Sequence, residues 1–268
     1  MKTSMNPTEI LEFLDMVMDK AGAALMSYFH TDLRIERKGS SETTIDIVTD
    51  TDRKSEEIVM EAIAREFPHH DVLTEETLTE RSGSRWLWLI DPLDGTVNFA
   101  HGIPHFAISI ALSESDDLIA GMVYDPVKGE RYSATRNGGS FLNGKRLRVS
   151  DSKLLRTSVV ATGFPYDRAT NPNNNVKEFQ RVVTRVQGIR RQGAAALDLA
   201  YVAAGRLDGF WELRLKPWDQ AAGMLLVKES GGRISDRNNR PVTFRTRNIV
   251  ATNGLIHTEL IATINGER

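Results

Sequence analysis

Residues 86–99, with the sequence WLWLIDPLDGTVNF, combine an apolar run with two closely spaced aspartates. The apolar run at 86–90 predicts a strand that is buried on both faces. Asp91 and Asp94 follow it, and Pro92 between them lacks an N–H for the ladder, so we expect regular pairing to stop there. Two carboxylates at the end of a buried strand are costly unless a positive charge neutralises them. The first candidate is Mg²⁺, which takes carboxylate oxygens together with a substrate phosphate.

The composition is that of an ordinary globular protein, and it excludes several classes of site. Hydrophobic residues make up 40% of the 268 residues and charged residues 26%, so a sizeable core is expected. A formal net charge of -2 does not favour nucleic acid as the main partner. The chain has no cysteine, which excludes disulfides, thiolate catalysis and cysteine-ligated metals. Because no signal-peptide core or membrane-length apolar run occurs, we expect a soluble cytoplasmic protein.

Two patterns of secondary structure meet near residue 150. Residues 1–150 contain consecutive strand-like segments joined by short turns, which predicts an antiparallel sheet within an α+β half. Those segments lie at 106–112, 118–124, 130–135 and 140–149. In residues 151–268 strands and helices alternate, which predicts an α/β half. We expect the first half to bind metal and the second half to complete the substrate pocket.

Acidic residues stand at the ends of four separate predicted elements: Asp52, Glu75, the pair Asp91 and Asp94, and Asp219. Functional groups are commonly held on such rigid elements. Each residue also has a structural explanation, and for Asp52 helix capping is favoured by about two to one. Only a fold that brings these acids together makes a site, and spacing along the chain does not show this.

Four motifs resemble the signatures of the inositol monophosphatase family, in the family's order. They are residues 46–52 (DIVTDTD), 74–76 (TEE), 88–99 (WLIDPLDGTVNF), and 218–223 (WDQAAG) with 229–232 (ESGG). The resemblance extends from the first helix to about residue 255. It implies a layered αβαβα sandwich of the sugar-phosphatase type, with an antiparallel sheet in the first half and a mixed sheet in the second. It also implies a lithium-sensitive homodimer that hydrolyses myo-inositol monophosphates to inositol and phosphate.

The resemblance further implies a site with two or three Mg²⁺ ions. Carried over by position, Glu75, Asp91 and the backbone carbonyl of Leu93 would hold one ion. Asp91 would bridge to a second ion, which Asp94 and Asp219 complete, and a third would share Glu75. Two such metals can clamp the attacking and leaving oxygens of an in-line phosphoryl displacement.

The same resemblance assigns catalytic and substrate-binding roles. Thr96 and Asp52 would orient the attacking water, with Glu75 assisting its deprotonation. Lys38 would approach the metal or phosphate from a polar loop. The backbone amides of Gly95 and Thr96, if they open a helix, would receive the phosphate. The full set of substrate contacts implied for a polyol phosphate is Asp94, Gly95, Thr96, Gly193, Ala195, Glu212 and Asp219.

Two other functions stay open at this point. The first is a fructose-1,6-bisphosphatase or a nucleotide 3′-phosphatase on the same core, in which a second phosphate needs a cationic receiver. Arg190, Arg191, Arg214 and Lys216 are the candidates for that receiver.

The second alternative belongs to another class of protein, since some bacterial relatives regulate transcription. It is a regulatory protein that contacts RNA or the transcription machinery. The basic segment with Lys145, Arg146 and Arg148 is its only local support, and such segments are usually just solvated.

Overall fold

The computed structural model describes residues 6–31, 35–37, 47–77 and 82–267. Helix α1 (Pro7–Tyr28) begins as its sequence predicts, because the Asn6 side chain accepts a hydrogen bond from Thr8 N at 3.0 Å. Of the helices in these ranges, none has the length and apolar character that crossing a membrane requires. The other helices are α2 (Asp50–Glu66), α3 (Thr96–Ala100), α4 (Val176–Val183), α5 (Ala195–Ala203), α6 (Pro217–Glu229) and α7 (His257–Asn265).

The strands of the described residues form three sheets. The smallest pairs β1 (Ile35–Arg37) with β2 (Ile47–Thr49). The largest has the spatial order β3 (Asp71–Thr74), β4 (Trp86–Asp94), β5 (Ala107–Glu114), β6 (Asp117–Asp125), β7 (Glu130–Thr135), β8 (Gly139–Leu142) and β9 (Lys145–Arg146). The third has the order β11 (Gly188–Arg190), β10 (Val159–Thr162), β12 (Gly209–Glu212), β14 (Ile249–Thr252) and β13 (Arg233–Ser235).

The strand directions confirm the predicted pair of sheets. In the seven-stranded sheet every pair from β4 to β9 is antiparallel. The edge strand β3 differs, because it runs parallel to β4. The five-stranded sheet is mixed, since β10 is parallel to β11 and β12, while β14 is antiparallel to both of its neighbours.

The two larger sheets and three layers of helices form the predicted αβαβα sandwich. Successive residues of β4 face opposite sides of the sheet, so that Trp88 packs in the core with α1 and α2, and Leu87 and Leu89 pack with α5 and α6. Phe210 contacts the other side of that central helical layer, and Trp211 lies in the core beneath α4 and α7. Helices from the second half thus fill the space between both sheets. A domain boundary near residue 150 stays a prediction.

Strand β4 does not end at Pro92 as the sequence predicted. It continues to Asp94, and its pairing with β5 shifts register between Asp91, opposite Ser109, and Asp94, opposite Ala107. Three steps along β4 therefore match two along β5, which is the geometry of a bulge. A bulge leaves one residue unpaired, so the missing N–H of Pro92 is tolerated within the strand. The sequence indicated an interruption here but not that pairing resumes beyond it.

The parallel pairing of β3 with β4 places two of the predicted site residues side by side. Thr74 is opposite Ile90 in the register. The residues that follow this pair are Glu75, just beyond the end of β3, and Asp91, within β4, and the two chains run in the same direction here. Two acids that are 16 positions apart in the sequence therefore lie at the same end of adjacent strands.

His257, at the start of α7, is a fully buried histidine held by two hydroxyl groups. Its Nε2 lies 2.8 Å from Ser235 Oγ, and its Nδ1 lies 2.9 Å from Thr252 Oγ1. Burial, with a smaller effect of Arg233, lowers the pKa of His257 to about 4. An unfolded histidine titrates near 6.5, so only the unfolded chain gains this proton between pH 6.5 and 4. The stabilising effect of neutral His257 is present above pH 6.5 and is lost as the pH falls.

We expect a His257→Gln variant to reveal this titration. The difference in unfolding free energy between the wild type and H257Q should be largest near pH 7 and should shrink towards pH 4.5, because only the wild type loses this contribution. Urea denaturation in EDTA-containing buffers measures it at each pH, and the exposed His101→Gln variant is the control for removal of an imidazole. A difference for H257Q that does not vary with pH would contradict this account.

Candidate active site

One cavity of about 620 Å³ brings together nearly all the residues that the sequence assigned to a site. That volume suits a small organic ligand. Of the assigned metal ligands, catalytic residues and polyol contacts that the structure describes, Asp52 is the one that is not in the wall, and it forms a hydrogen bond with Thr96, which is. The assigned residues in the wall are Glu75, Asp91, Leu93, Asp94, Gly95, Thr96, Gly193, Ala195, Glu212 and Asp219.

The end of β4 holds its acids on a rigid base. The side chain of Asp91 is buried, and its Oδ1 accepts a hydrogen bond from Leu93 N at 3.1 Å. Gly95 follows with a φ of +96°, and a Cβ there would stand 3.1 Å from the carbonyl oxygen of His105. Only glycine suits both conditions, and this residue allows the chain to turn from β4 directly into α3.

Glu56 is a buried acid that sequence reasoning missed. Its Oε2 accepts hydrogen bonds from Thr74 Oγ1 at 2.6 Å and from Glu76 N at 3.0 Å. These bonds hold the residues on both sides of Glu75, which lies in the cavity wall. In the sequence Glu56 is one of several polar residues of α2, and no local signal distinguishes it from the exposed ones.

Thr96 and Asp52 form a hydrogen-bonded pair at the start of two helices. Thr96 Oγ1 lies 3.0 Å from Asp52 Oδ1 and 3.1 Å from the carbonyl oxygen of Leu93. The other oxygen of Asp52 accepts from Thr49 N at 2.8 Å and Thr49 Oγ1 at 2.5 Å, which forms a capping box for α2. One carboxylate oxygen of Asp52 therefore caps α2, and the other contacts Thr96 in the site.

Burial is the main reason why the pKa of Asp52 rises to about 6. Its hydrogen bonds with Thr49 and Thr96 oppose that rise, and the charge of Glu75 adds to it. Asp52 thus lies close enough to the cavity to respond to a charge in its wall.

Asp94 connects the end of β4 to the first turn of α5. Its two carboxylate oxygens accept from Ala195 N at 3.1 Å and Ala196 N at 2.8 Å. The amide of Ala195, which lies among the assigned substrate contacts, therefore binds Asp94 in this structure. Burial raises the pKa of Asp94 well above its ordinary value, and the charges of Asp219 and Asp198 raise it further.

Asp219 completes this group from the start of α6. Its Oδ2 accepts from Lys216 N at 2.7 Å, so it caps the helix as its place after Pro217 predicts. Because its charge raises the pKa of both Asp94 and Glu212, it stands within electrostatic reach of both.

Several acids line this cavity, and their donor atoms can be compared with those that a metal ion needs. Among the residues described, no three acidic or histidine side chains are grouped as a formed metal cage. Asp94 and Asp219 instead direct oxygens to backbone amides. The donor set, of carboxylates with the Leu93 carbonyl, nevertheless has the hard-oxygen chemistry that suits Mg²⁺. A bound cation would favour the charged form of these buried acids.

A model of the inositol monophosphatase family matches residues 6–267. The chain belongs to this family. It is 41% identical to an inositol-1-monophosphatase of Mesorhizobium japonicum over 248 residues, covering 91% of this chain and 92% of the relative. It is 46% identical to the Nus factor SuhB of Pseudomonas aeruginosa over 224 residues, covering 82% and 83%. The structure of an inositol monophosphatase from Anabaena (Nostoc) sp. PCC 7120 superposes with a TM-score of 0.88 at 38% identity, covering 98% of both chains.

These comparisons confirm the resemblance on which the sequence prediction relied. They support an inositol-phosphate phosphatase, which is the activity class of the family. The roles of individual residues stay predictions. Lys38 lies outside the described residues.

Several cations line the same cavity. Arg191, Arg214 and Lys216 are in the wall, whereas Arg190 is not. Arg214 forms an ion pair with Asp167 of the facing loop, so its charge is already matched. Three of the four candidate receivers for a second phosphate are thus close to the cavity, and one of those three has an acidic partner.

Glu212, at the end of β12, lies in the wall of the same cavity as the family motif of β4. Burial, followed by the charges of Asp198 and Asp219, raises the pKa of Glu212 well above its ordinary value. A Cβ on Gly163 would overlap the Glu212 carboxylate. Gly163 is held in place by Asn175, whose Nδ2 donates to the Gly163 carbonyl at 2.6 Å. A glycine is therefore needed at 163 to leave space for the acid.

We expect Gly163→Ala to displace the Glu212 carboxylate while leaving the fold intact, because the overlapping atoms are the flexible end of a side chain. Phosphatase activity on inositol 1-phosphate should fall by about tenfold in kcat/KM, the effect of losing one charged hydrogen bond. Steady-state kinetics and a thermal melt measure the two effects.

Gly188→Ala is the matched control, since its new Cβ would meet only the end of the Arg190 side chain, at 3.1 Å. Wild-type kinetics for G163A would show that the position of Glu212 does not matter.

Proposed function

We propose that this protein is a Mg²⁺-dependent phosphomonoesterase that hydrolyses myo-inositol monophosphates to inositol and inorganic phosphate. The observation that carries the proposal is that Glu75, Asp91, Asp94, Asp219 and Thr96, from three separate family motifs, line one cavity. Its small volume and excess of carboxylates suit a phosphorylated polyol together with divalent cations.

In this proposal two groups of oxygen donors hold the metal. Glu75, Asp91 and the Leu93 carbonyl would form the first, and Asp94 and Asp219 would join Asp91 in the second. When bound, Mg²⁺ neutralises these carboxylates, draws charge from the phosphoryl group and makes water more acidic. The relative named an inositol-1-monophosphatase at 41% identity supports the choice of substrate.

Thr96 and Asp52 would orient the attacking water. The Thr96 hydroxyl has one proton, which it can donate to Asp52 Oδ1, 3.0 Å away. Its oxygen lone pairs then accept a hydrogen bond from water in the cavity, so the pair fixes the direction of that water. Asp52 is itself fixed through Thr49, which donates to its other oxygen. Water held this way needs no histidine base, and Glu75 lies in the same wall to assist proton removal.

We expect Thr96→Val to lower kcat for inositol 1-phosphate by about 10²- to 10³-fold, which lies within the range for loss of a group that takes part in proton transfer. Thr96→Ser is the matched variant, because it keeps the hydroxyl and should restore most of the activity. Near-wild-type kcat for T96V would remove Thr96 from the mechanism. A thermal melt of both variants separates loss of activity from loss of fold.

The direct test is release of inorganic phosphate from inositol 1-phosphate with Mg²⁺ present and after its removal with EDTA. We expect turnover that depends on added Mg²⁺ and is lost in Asp91→Asn. The same assay with fructose 1,6-bisphosphate and adenosine 3′,5′-bisphosphate separates the alternative phosphatase activities. No phosphate release from inositol 1-phosphate by the metal-loaded protein would refute the proposal.

A second function is favoured by the relative that is named Nus factor SuhB, at 46% identity. It would make the protein a regulator that contacts RNA or the transcription machinery. Lys145 and Arg146 form the exposed edge strand β9, where a partner could bind without covering the cavity. An Asp94→Asn variant that lacks phosphatase activity but supports the cellular phenotype would favour this function.

The homodimer stays a prediction, and light scattering of the purified protein measures the oligomeric state.

A further inference from the structure

Asp198 is a buried acid in the cavity wall that belongs to none of the family motifs identified from the sequence. It lies in the first turn of α5 and is only 2% exposed. Its Oδ1 accepts a hydrogen bond from Gln192 Nε2 at 2.8 Å. Burying a carboxylate costs free energy unless the group is paired or has a function, so its presence beside the proposed substrate site needs an explanation.

The second oxygen of Asp198 is accessible from the cavity. Within the described residues Oδ2 has no hydrogen-bond donor, and it is not among the polar atoms sealed away without a partner. Since Asp198 lines the cavity, the space that reaches Oδ2 is the cavity itself. This oxygen can therefore bind a hydroxyl group of a ligand.

The charge of Arg191 reaches both Asp198 and Glu212. Its positive charge lowers the pKa of both acids, against the larger effect of burial, which raises the pKa of Asp198 to about 7. Gly193 makes space for this arginine, because a Cβ on Gly193 would stand only 2.5 Å from Arg191 Nη1. Gly193 also has a φ of +86°, which favours glycine. Two acids of the cavity wall thus lie within electrostatic reach of one guanidinium.

We propose that Asp198 determines substrate specificity: together with Glu212 it binds neighbouring hydroxyl groups of a neutral polyol. This inference rests on the proposed function, in which the phosphate lies by Asp91 and Asp94. Hydroxyl groups bind carboxylates through charge-assisted hydrogen bonds. A second phosphate at this position would meet the negative charge of two acids, so the subsite disfavours bisphosphates. Arg191 limits the repulsion between the two carboxylates.

Asp198→Asn tests the proposal, because asparagine keeps the shape and the acceptor for Gln192 but removes the charge. We expect KM for inositol 1-phosphate to rise about tenfold, the effect of weakening a hydrogen bond to a charged group, with a smaller change in kcat. The inhibition constant of inorganic phosphate should stay within twofold, since in the proposed function phosphate binds the metal ions and the amides of Gly95 and Thr96 and makes no contact with Asp198. Asp151→Asn, at an exposed acid outside the cavity, is the matched control.

The outcomes separate this proposal from the proposed function. If the wild type releases no phosphate from inositol 1-phosphate, the proposed function is wrong and this inference fails with it. If the wild type is active and D198N keeps the wild-type KM, only the inference is wrong. A purely structural role of Asp198 predicts that KM and the phosphate inhibition constant rise together, as they would in Gln192→Ala. If D198N does not fold, Asp198→Ser gives the same comparison.

Discussion

The burial of several carboxylates around one cavity is the constraint on which this structure depends. Asp94 and Glu212 have pKa values well above those of ordinary carboxyl groups, and Asp52 and Asp198 are raised to about 6 and about 7. Burial is the first cause in each case, and for Asp52, Asp94 and Glu212 the charges of neighbouring acids add to it. Such a cluster does not persist in a fold unless something offsets the charge. Backbone amides offset part of it, and in the proposed function divalent cations offset the rest.

Helix starts supply much of that offset. Asp52 lies in the first turn of α2 and Asp219 in the first turn of α6, while Asp94 accepts from the first amides of α5. Thr96 is the first residue of α3. The positive end of each helix dipole therefore points towards the acids, and each contact satisfies an amide that has no partner within its helix. The same geometry both stabilises the helices and holds the acids in position.

Much of the fold could be predicted from the sequence, and the site only in part. The apolar run at 86–90 predicted a buried strand, and the short turns after it predicted the antiparallel sheet. The alternation of strands and helices after residue 150 predicted the α/β half. The bulge at Pro92 was missed because it depends on the partner strand. Glu56 and Asp198 were missed because polar residues on helices give no local signal of burial. The motif acids were found through family resemblance, whereas their convergence depends on the parallel register of β3 and β4, which spacing does not encode.

The double use of these acids limits how the site can change. Replacing Asp94 removes a proposed metal ligand and leaves the amides of Ala195 and Ala196 without their acceptor at the start of α5. Asp198 lies in the same first turn of α5, two residues after Ala196. A cation that binds Asp94 would therefore compete with the amides that fix α5, and the position of Asp198 would respond. Binding of metal and recognition of the polyol are then coupled through one helix start, because Asp94 is a partner in both.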